Sequence, residues 1–158
     1  MGLNFQRPLY ENGNIFSNNK SSFLELGELS IGGSGSTVNS SLMNMYDTDD
    51  TSYTYIKGSG TQAFNLTWEF DERRYFKTIY ITVGIKNSEA GASTVTLTID
   101  GSNDNSTWTE LKTVSAASTT EVKRYWLITG ASYKYIRIQA DSTVQDFDVN
   151  IYGIKGVI

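Results

Sequence analysis

The densest chemistry in the 158-residue sequence lies in one stretch of tyrosines and carboxylates, Tyr46-Asp-Thr-Asp-Asp-Thr-Ser-Tyr-Thr-Tyr55. Asp47, Asp49 and Asp50 offer hard oxygens from a single loop, the donor type that Ca2+ takes in numbers of six or more. Tyr46, Tyr53 and Tyr55 each supply a flat apolar ring and a hydroxyl, suited to stacking on a sugar or gripping a protein. The two-residue period of a strand lets only one or two of the three face outward. Asn87, Glu89 and Arg124 fall in loops or at strand ends, where they could hydrogen-bond a ligand's hydroxyls, Arg124 through a planar fork. Arg73 and Arg74 could do the same, although exposed charge of this kind is most often plain surface. Asp146 and Asp148 have the spacing of a carboxylate pair for glycoside hydrolysis, but nothing around them marks one as an acid. The absence of His and Cys removes imidazole bases, thiol nucleophiles, disulfides and the usual transition-metal ligands. No acid–base constellation is left, and the chain reads as a non-enzyme.

These groups need a scaffold, and its period is two. Phe64, Leu66, Trp68 and Phe70 alternate with polar residues, as do Ile79, Ile81, Val83 and Ile85, and then Val95, Leu97 and Ile99. Each set predicts a strand with one buried face. Between the first two, Asp71-Glu-Arg-Arg74 predicts a charged turn. A looser strand is expected over 23–31, and Gly32–Ser36 is expected as a surface loop. Residues 38–45 are too short for a firm helix, and 46–55 reads as a loop. Val122, Arg124, Trp126 and Ile128 oppose Lys123, Tyr125 and Leu127 with neither face purely polar, which places that strand between layers or at an edge. Tyr133–Ile138 and the tail from Phe147 supply two more strands. Asp100-Gly101 and Ser102–Ser106 are expected to form a polar turn, after which Trp108 returns as an apolar anchor expected in the core.

Seven or eight strands at spacings of about ten residues indicate an all-β sandwich or barrel. The length fits one domain over 1–158, with 1–22 as a candidate N-terminal arm. A net charge of −4 disfavours a nucleic-acid partner. No apolar run reaches the length of a membrane span and no signal peptide is seen, so membrane insertion is not expected.

From residue 47 to 158 the order of segments resembles the discoidin, or coagulation factor 5/8 type C, family and its galactose-binding-like carbohydrate-binding modules. Asp47-Thr-Asp-Asp-Thr-Ser52 is similar to the family's Asp-Gly-Asp-x-x-Thr loop, and Trp68-Glu-Phe-Asp71 to its Val-Asp-Leu-Gly strand end. Ser102-Asn-Asp-Asn-Ser-Thr-Trp108 matches its Ser-Asn-Asp-Gly-x-x-Trp turn, the most specific piece. Tyr133-Lys-Tyr-Ile-Arg-Ile138 is similar to its Arg-Tyr-x-Arg-Ile strand, in which Arg137 reads as structural with a buried partner. The final Ile151-x-x-Ile-x-x-Val157 strand sits where the family ends. The resemblance implies an antiparallel jelly-roll β-sandwich of about eight strands whose end loops bind ligand.

Two departures bear on function. The resemblance implies a structural Ca2+ completed by a Glu in the last strand, but the aligned residue is Gly153, so Ca2+ is the one candidate cofactor and its site is a ligand short. Relatives that bind galactose pair His and Arg beside an aromatic platform; without His, that specificity does not carry over. The leading expectation is a noncatalytic module that binds a surface glycan through end loops. The alternative is a phage or virus structural protein (capsid decoration, spike or tail) that uses the sandwich for homo-oligomer or virion assembly with a partner protein. The expected location is a virion or an extracellular surface, otherwise the cytoplasm.

Overall fold

Two long strands run through both layers of the sandwich and tie them together. The computed structural model describes residues 27–33, 37–38, 40–46, 51–59, 64–88, 94–142 and 146–158. Within them the elements are β1 (Gly27–Gly32), β2 (Thr37–Val38), a 3-10 turn (Leu42–Met45), β3 (Thr54–Gly58), β4 (Phe64–Asn87), β5 (Val95–Ser102), β6 (Thr109–Ala116), β7 (Val122–Ser142) and β8 (Phe147–Val157). All pairings are antiparallel. The first half of β4 pairs with β1 and with the second half of β7, which continues to β5 and β6. The second half of β4 pairs with the first half of β7 and with β8, which continues to β3 and β2. The result is the jelly-roll sandwich expected from the sequence, with two faces sharing β4 and β7.

The core forms where the alternating sets meet. Phe64, Leu66, Trp68 and Phe70 from one face are fully buried, as are Ile79, Val83, Ile85, Val149 and Ile151 from the other. Each such side chain contributes roughly 1.5–3 kcal/mol of transfer free energy. The Phe64 and Phe147 rings meet across the layers at 6.4 Å, and Phe70 and Phe76 at 5.3 Å. Among the described residues no helix is long and apolar enough to cross a membrane.

The charged turn expected at Asp71–Arg74 is instead a bulged corner inside one continuous strand. Glu69 pairs with Tyr135 and Arg74 with Tyr133, so four residues of β4 (70–73) oppose one of β7 (134). Alternation lapses there because the strand leaves the core to change layers, while β7 accompanies it and keeps the backbone paired. Arg74 holds the corner through Asp71 at 2.7 Å and Glu72 at 3.3 Å, and Gly130 turns β7 with a φ of +71°. For the same reason Tyr133–Ile138 is not a separate strand but the second half of β7. The strand expected between layers or at an edge is the first half of β7, the open edge of the second face. The strand expected over 23–31 is described from Gly27 onward as β1, and 23–26 lie outside the described residues.

Three further expectations change. β6 is a polar edge strand with too little apolar alternation to show as a strand in the sequence. The stretch expected as a loop over 46–55 already enters β3 at Thr54, because Tyr55 and Ile56 pair with Asn150 and Val149 of β8. Trp108 is half-buried, not in the core: its ring lies 3.9 Å from the Arg137 guanidinium. Arg137 does have the buried partner expected of it, donating from Nη2 to Asp100 Oδ2 at 2.8 Å.

Candidate functional site

The outer face of the second layer carries a row of polar and aromatic residues set by strand register. Tyr55 of β3, Asn150 of β8, Gly84 of β4 and Lys123 of β7 stand side by side, and Lys57, Asp148 and Lys86 form the next row. Ile56, Val149 and Ile85, between the two rows, point into the core, so these outward residues follow from the pleat. A register shift between Thr82 and Val83 leaves Tyr152 as the extra residue of β8. The bulge turns its ring toward Tyr53, with centroids 5.1 Å apart and planes tilted by 57°.

Gly84 shapes the middle of this face. A Cβ there would collide with the Glu121 carboxylate, so the missing side chain is the notch in which Glu121 lies. Glu121 Oε1 accepts from the Tyr152 hydroxyl at 2.8 Å and from Asn150 Nδ2 at 3.0 Å. Lys123 Nζ covers the Tyr152 ring at 3.9 Å. The Asn87 backbone N–H donates to Ser118 O at 2.8 Å and pins the β6–β7 connection that carries Thr119, Thr120 and Glu121. Floor and roof enclose an open cleft of about 520 Å³ lined by Tyr53, Tyr55, Lys86, Thr119, Thr120, Glu121, Asp148 and Asn150.

The tyrosine hydroxyls in and behind the cleft are held in defined orientations. Tyr55 donates to Asp148 Oδ1 at 2.7 Å, and that bond to an ionised carboxylate pushes its pKa up to about 12. Tyr152 is pushed up to about 12 first by burial and then by its bond to Glu121. Asp146 does not join Asp148 as a pair. It faces Lys57 at 3.3 Å, while Asp148 takes the Tyr55 hydroxyl.

The candidates read from sequence therefore separate. Tyr53 and Tyr55 line the cleft. Asn87 is buried and serves the roof through its backbone. Tyr46 turns inward, accepting from Trp68 Nε1 at 2.7 Å, and burial raises its pKa against that bond. Arg124 sits on the core-facing row of the edge strand, donates to Lys123 O at 3.3 Å and is not part of the cleft lining. Glu89 and the candidate Ca2+ ligands Asp47, Asp49 and Asp50 lie outside the described residues. Among the described residues no group of three or more Asp or Glu side chains could hold a metal. The sequence reading missed Lys86, Thr119, Thr120, Glu121 and Asn150, and did not connect Asp148 to a cleft. The available signal was the alternation Asp148, Asn150, Tyr152 in the last strand.

No protein-family model matches the sequence, and no curated protein matches it. Solved structures do. A family 32 carbohydrate-binding module of a family 31 glycoside hydrolase, bound to GalNAc, aligns with a TM-score of 0.51 at 21% identity over 84% of this chain and 98% of that one. A pectin-binding carbohydrate-binding module aligns at 0.50 and 18% identity over 83% and 89%. The chain has the discoidin-type, galactose-binding-like fold. The same fold is found in a Ruminococcus gnavus family 29 fucosidase, at a TM-score of 0.56 and 16% identity over 93% of this chain but 29% of the larger enzyme. At these identities the likeness concerns the fold alone.

Proposed function

We propose that the chain is a noncatalytic glycan-binding module and that the cleft on the outer face of the second layer is its sugar site. The observation that carries this reading is the tyrosine cluster. Tyr53 is 38% exposed and braced by Tyr152, and Tyr55 beside it is locked by Asp148. Such rings can lie against the C–H face of a pyranose. The carboxylates of Glu121 and Asp148 have further lone pairs for sugar hydroxyls, and Lys86 and Thr120 can donate. The architecture differs from a purely loop-built site: strands make the floor, and one end connection makes the roof.

An open cleft excludes water poorly and gains little beyond the cost of association, so affinity for a single sugar should lie near millimolar, about −4 kcal/mol. Repetition of the module, or attachment to a larger protein, would raise it through effective concentration. Assembly into a particle, the alternative raised from sequence, gains no support from the fold or its neighbours. Titration of a panel of neutral and acidic oligosaccharides against the protein and its Tyr53→Ala variant tests the proposal. The expected result is binding that weakens about tenfold or more in the variant at an unchanged melting temperature. Equal binding by both proteins would refute the assignment of the cleft.

A further inference from the structure

At the opposite end of the sandwich, beneath the bulged corner of β4 and β7, lies a second pocket of about 500 Å³. Its polar lining is held from behind and left open in front. Arg73 Nε donates to the Ser132 backbone oxygen at 3.1 Å and to Ser132 Oγ at 3.0 Å, which fixes the plane of the guanidinium. Neither Nη nitrogen has a partner among the described residues. Asn103 Oδ1 accepts from the Lys134 N–H at 3.1 Å. Because an N–H can only donate, this bond fixes which end of the amide is which and leaves Nδ2 as a free donor. Glu110 also lines the pocket without a partner in the described chain. The Tyr133 ring lies against the backbone at Gly101, where a Cβ would strike it.

We propose that this corner pocket is a second binding site, for a carboxylate-bearing ligand of single-sugar size. The Arg73 fork, already oriented by Ser132, presents two parallel donors matched to a carboxylate. Asn103 Nδ2 adds a third donor and Glu110 accepts hydroxyls. Tyr133 supplies an aromatic surface. Of the acidic groups around the corner, Glu69 is engaged by Lys134 at 3.2 Å, and Asp71 and Glu72 by Arg74; Glu110 shares the pocket lining with Arg73 but makes no ion pair with it among the described residues. The site stands independently of the cleft reading, because it shares no lining residue with it.

The test is a matched pair of probes, sodium D-glucuronate and D-glucose, which differ in a carboxylate against a hydroxymethyl group. Backbone amide shifts would be followed for the protein and for its Arg73→Gln, Arg73→Lys and Tyr53→Ala variants, each checked by thermal melting. Glucuronate should move the signals of Gly130, Ser132 and Asn103 saturably, and glucose should bind there at least about tenfold more weakly. Arg73→Gln should abolish the effect, Arg73→Lys should weaken it by losing the fork while keeping the charge, and Tyr53→Ala should leave it intact. Equal shifts with glucose or with acetate, no shift with glucuronate, or a response unchanged in Arg73→Gln would overturn the proposal. Loss of cleft binding in Tyr53→Ala with a silent corner pocket would overturn this site alone and leave the cleft standing.

Discussion

At the scale of single residues, the cleft depends on what one glycine lacks. In Gly84→Ala the new methyl would displace the Glu121 carboxylate, the far end of a flexible exposed side chain. The fold should therefore lose about 1 kcal/mol or less, while Tyr152 and Asn150 lose their shared acceptor and glycan binding drops; paired melting and titration would show the two effects separately. The tyrosines predict an alkaline response. Tyr55 and Tyr152 keep their protons to about pH 12 in the fold but release them near pH 10 when unfolded. Between those values the unfolded chain binds fewer protons, so their stabilisation is complete below about pH 10 and disappears as pH rises toward 12. Denaturant midpoints measured across that window should fall, and fall less in Tyr55→Phe. Trp108→Ala should cost about 1–2 kcal/mol in denaturant unfolding, for a half-buried ring stacked on Arg137, below the 3–5 kcal/mol of a fully buried aromatic. What made Tyr53 and Tyr55 legible in the sequence was their type and period; what hid Glu121 was that its place is set by an absent side chain in another strand.

At the scale of elements, bulges do the positioning. One on β8 sets Tyr152 behind the cleft, against the Tyr53 ring. Another, between Ile99 and Asp100 of β5, leaves Leu111 as the extra residue of β6, on the wall of the corner pocket. The largest lets β4 change layers. None is visible as a motif, because a bulge shows only as a lapse in alternation, and a lapse reads equally well as a turn. This is why Asp71–Arg74 suggested two strands where there is one. The buried sets around Phe64, Ile79 and Val95 were legible because each buries a whole face. Gly130 is the corner residue with an unambiguous demand, a φ of +71° with no steric conflict where a Cβ would stand, since the Tyr75 hydroxyl lies 4.0 Å away. Gly130→Ala should cost about 1–2 kcal/mol from backbone strain alone, as read by chemical denaturation; a neutral or stabilising effect would mean that the corner relaxes.

At the scale of the whole molecule, the two faces share β4 and β7 and so should unfold together. Native-state hydrogen exchange should find the slowest amides in both halves of β4 and in the second half of β7, with β1, β6 and the open-edge first half of β7 opening earlier. Independent protection of the two faces would contradict that coupling. The two proposed ligand surfaces sit at opposite ends of this frame, one near the free ends of β4 and β8 and one at the corner. The fold-level resemblance in the sequence predicted the frame but not these surfaces, since the turn motifs it rests on, such as Ser102–Trp108, shape the corner and do not enter the cleft. Glycan binding in the cleft beside Tyr53 and Tyr55 can be read out most directly by amide-shift mapping with an oligosaccharide panel. Saturable shifts at Tyr53, Tyr55, Glu121 and Asn150, lost in Tyr53→Ala, are predicted. Saturable shifts elsewhere with a silent cleft, or none with any glycan, would contradict it.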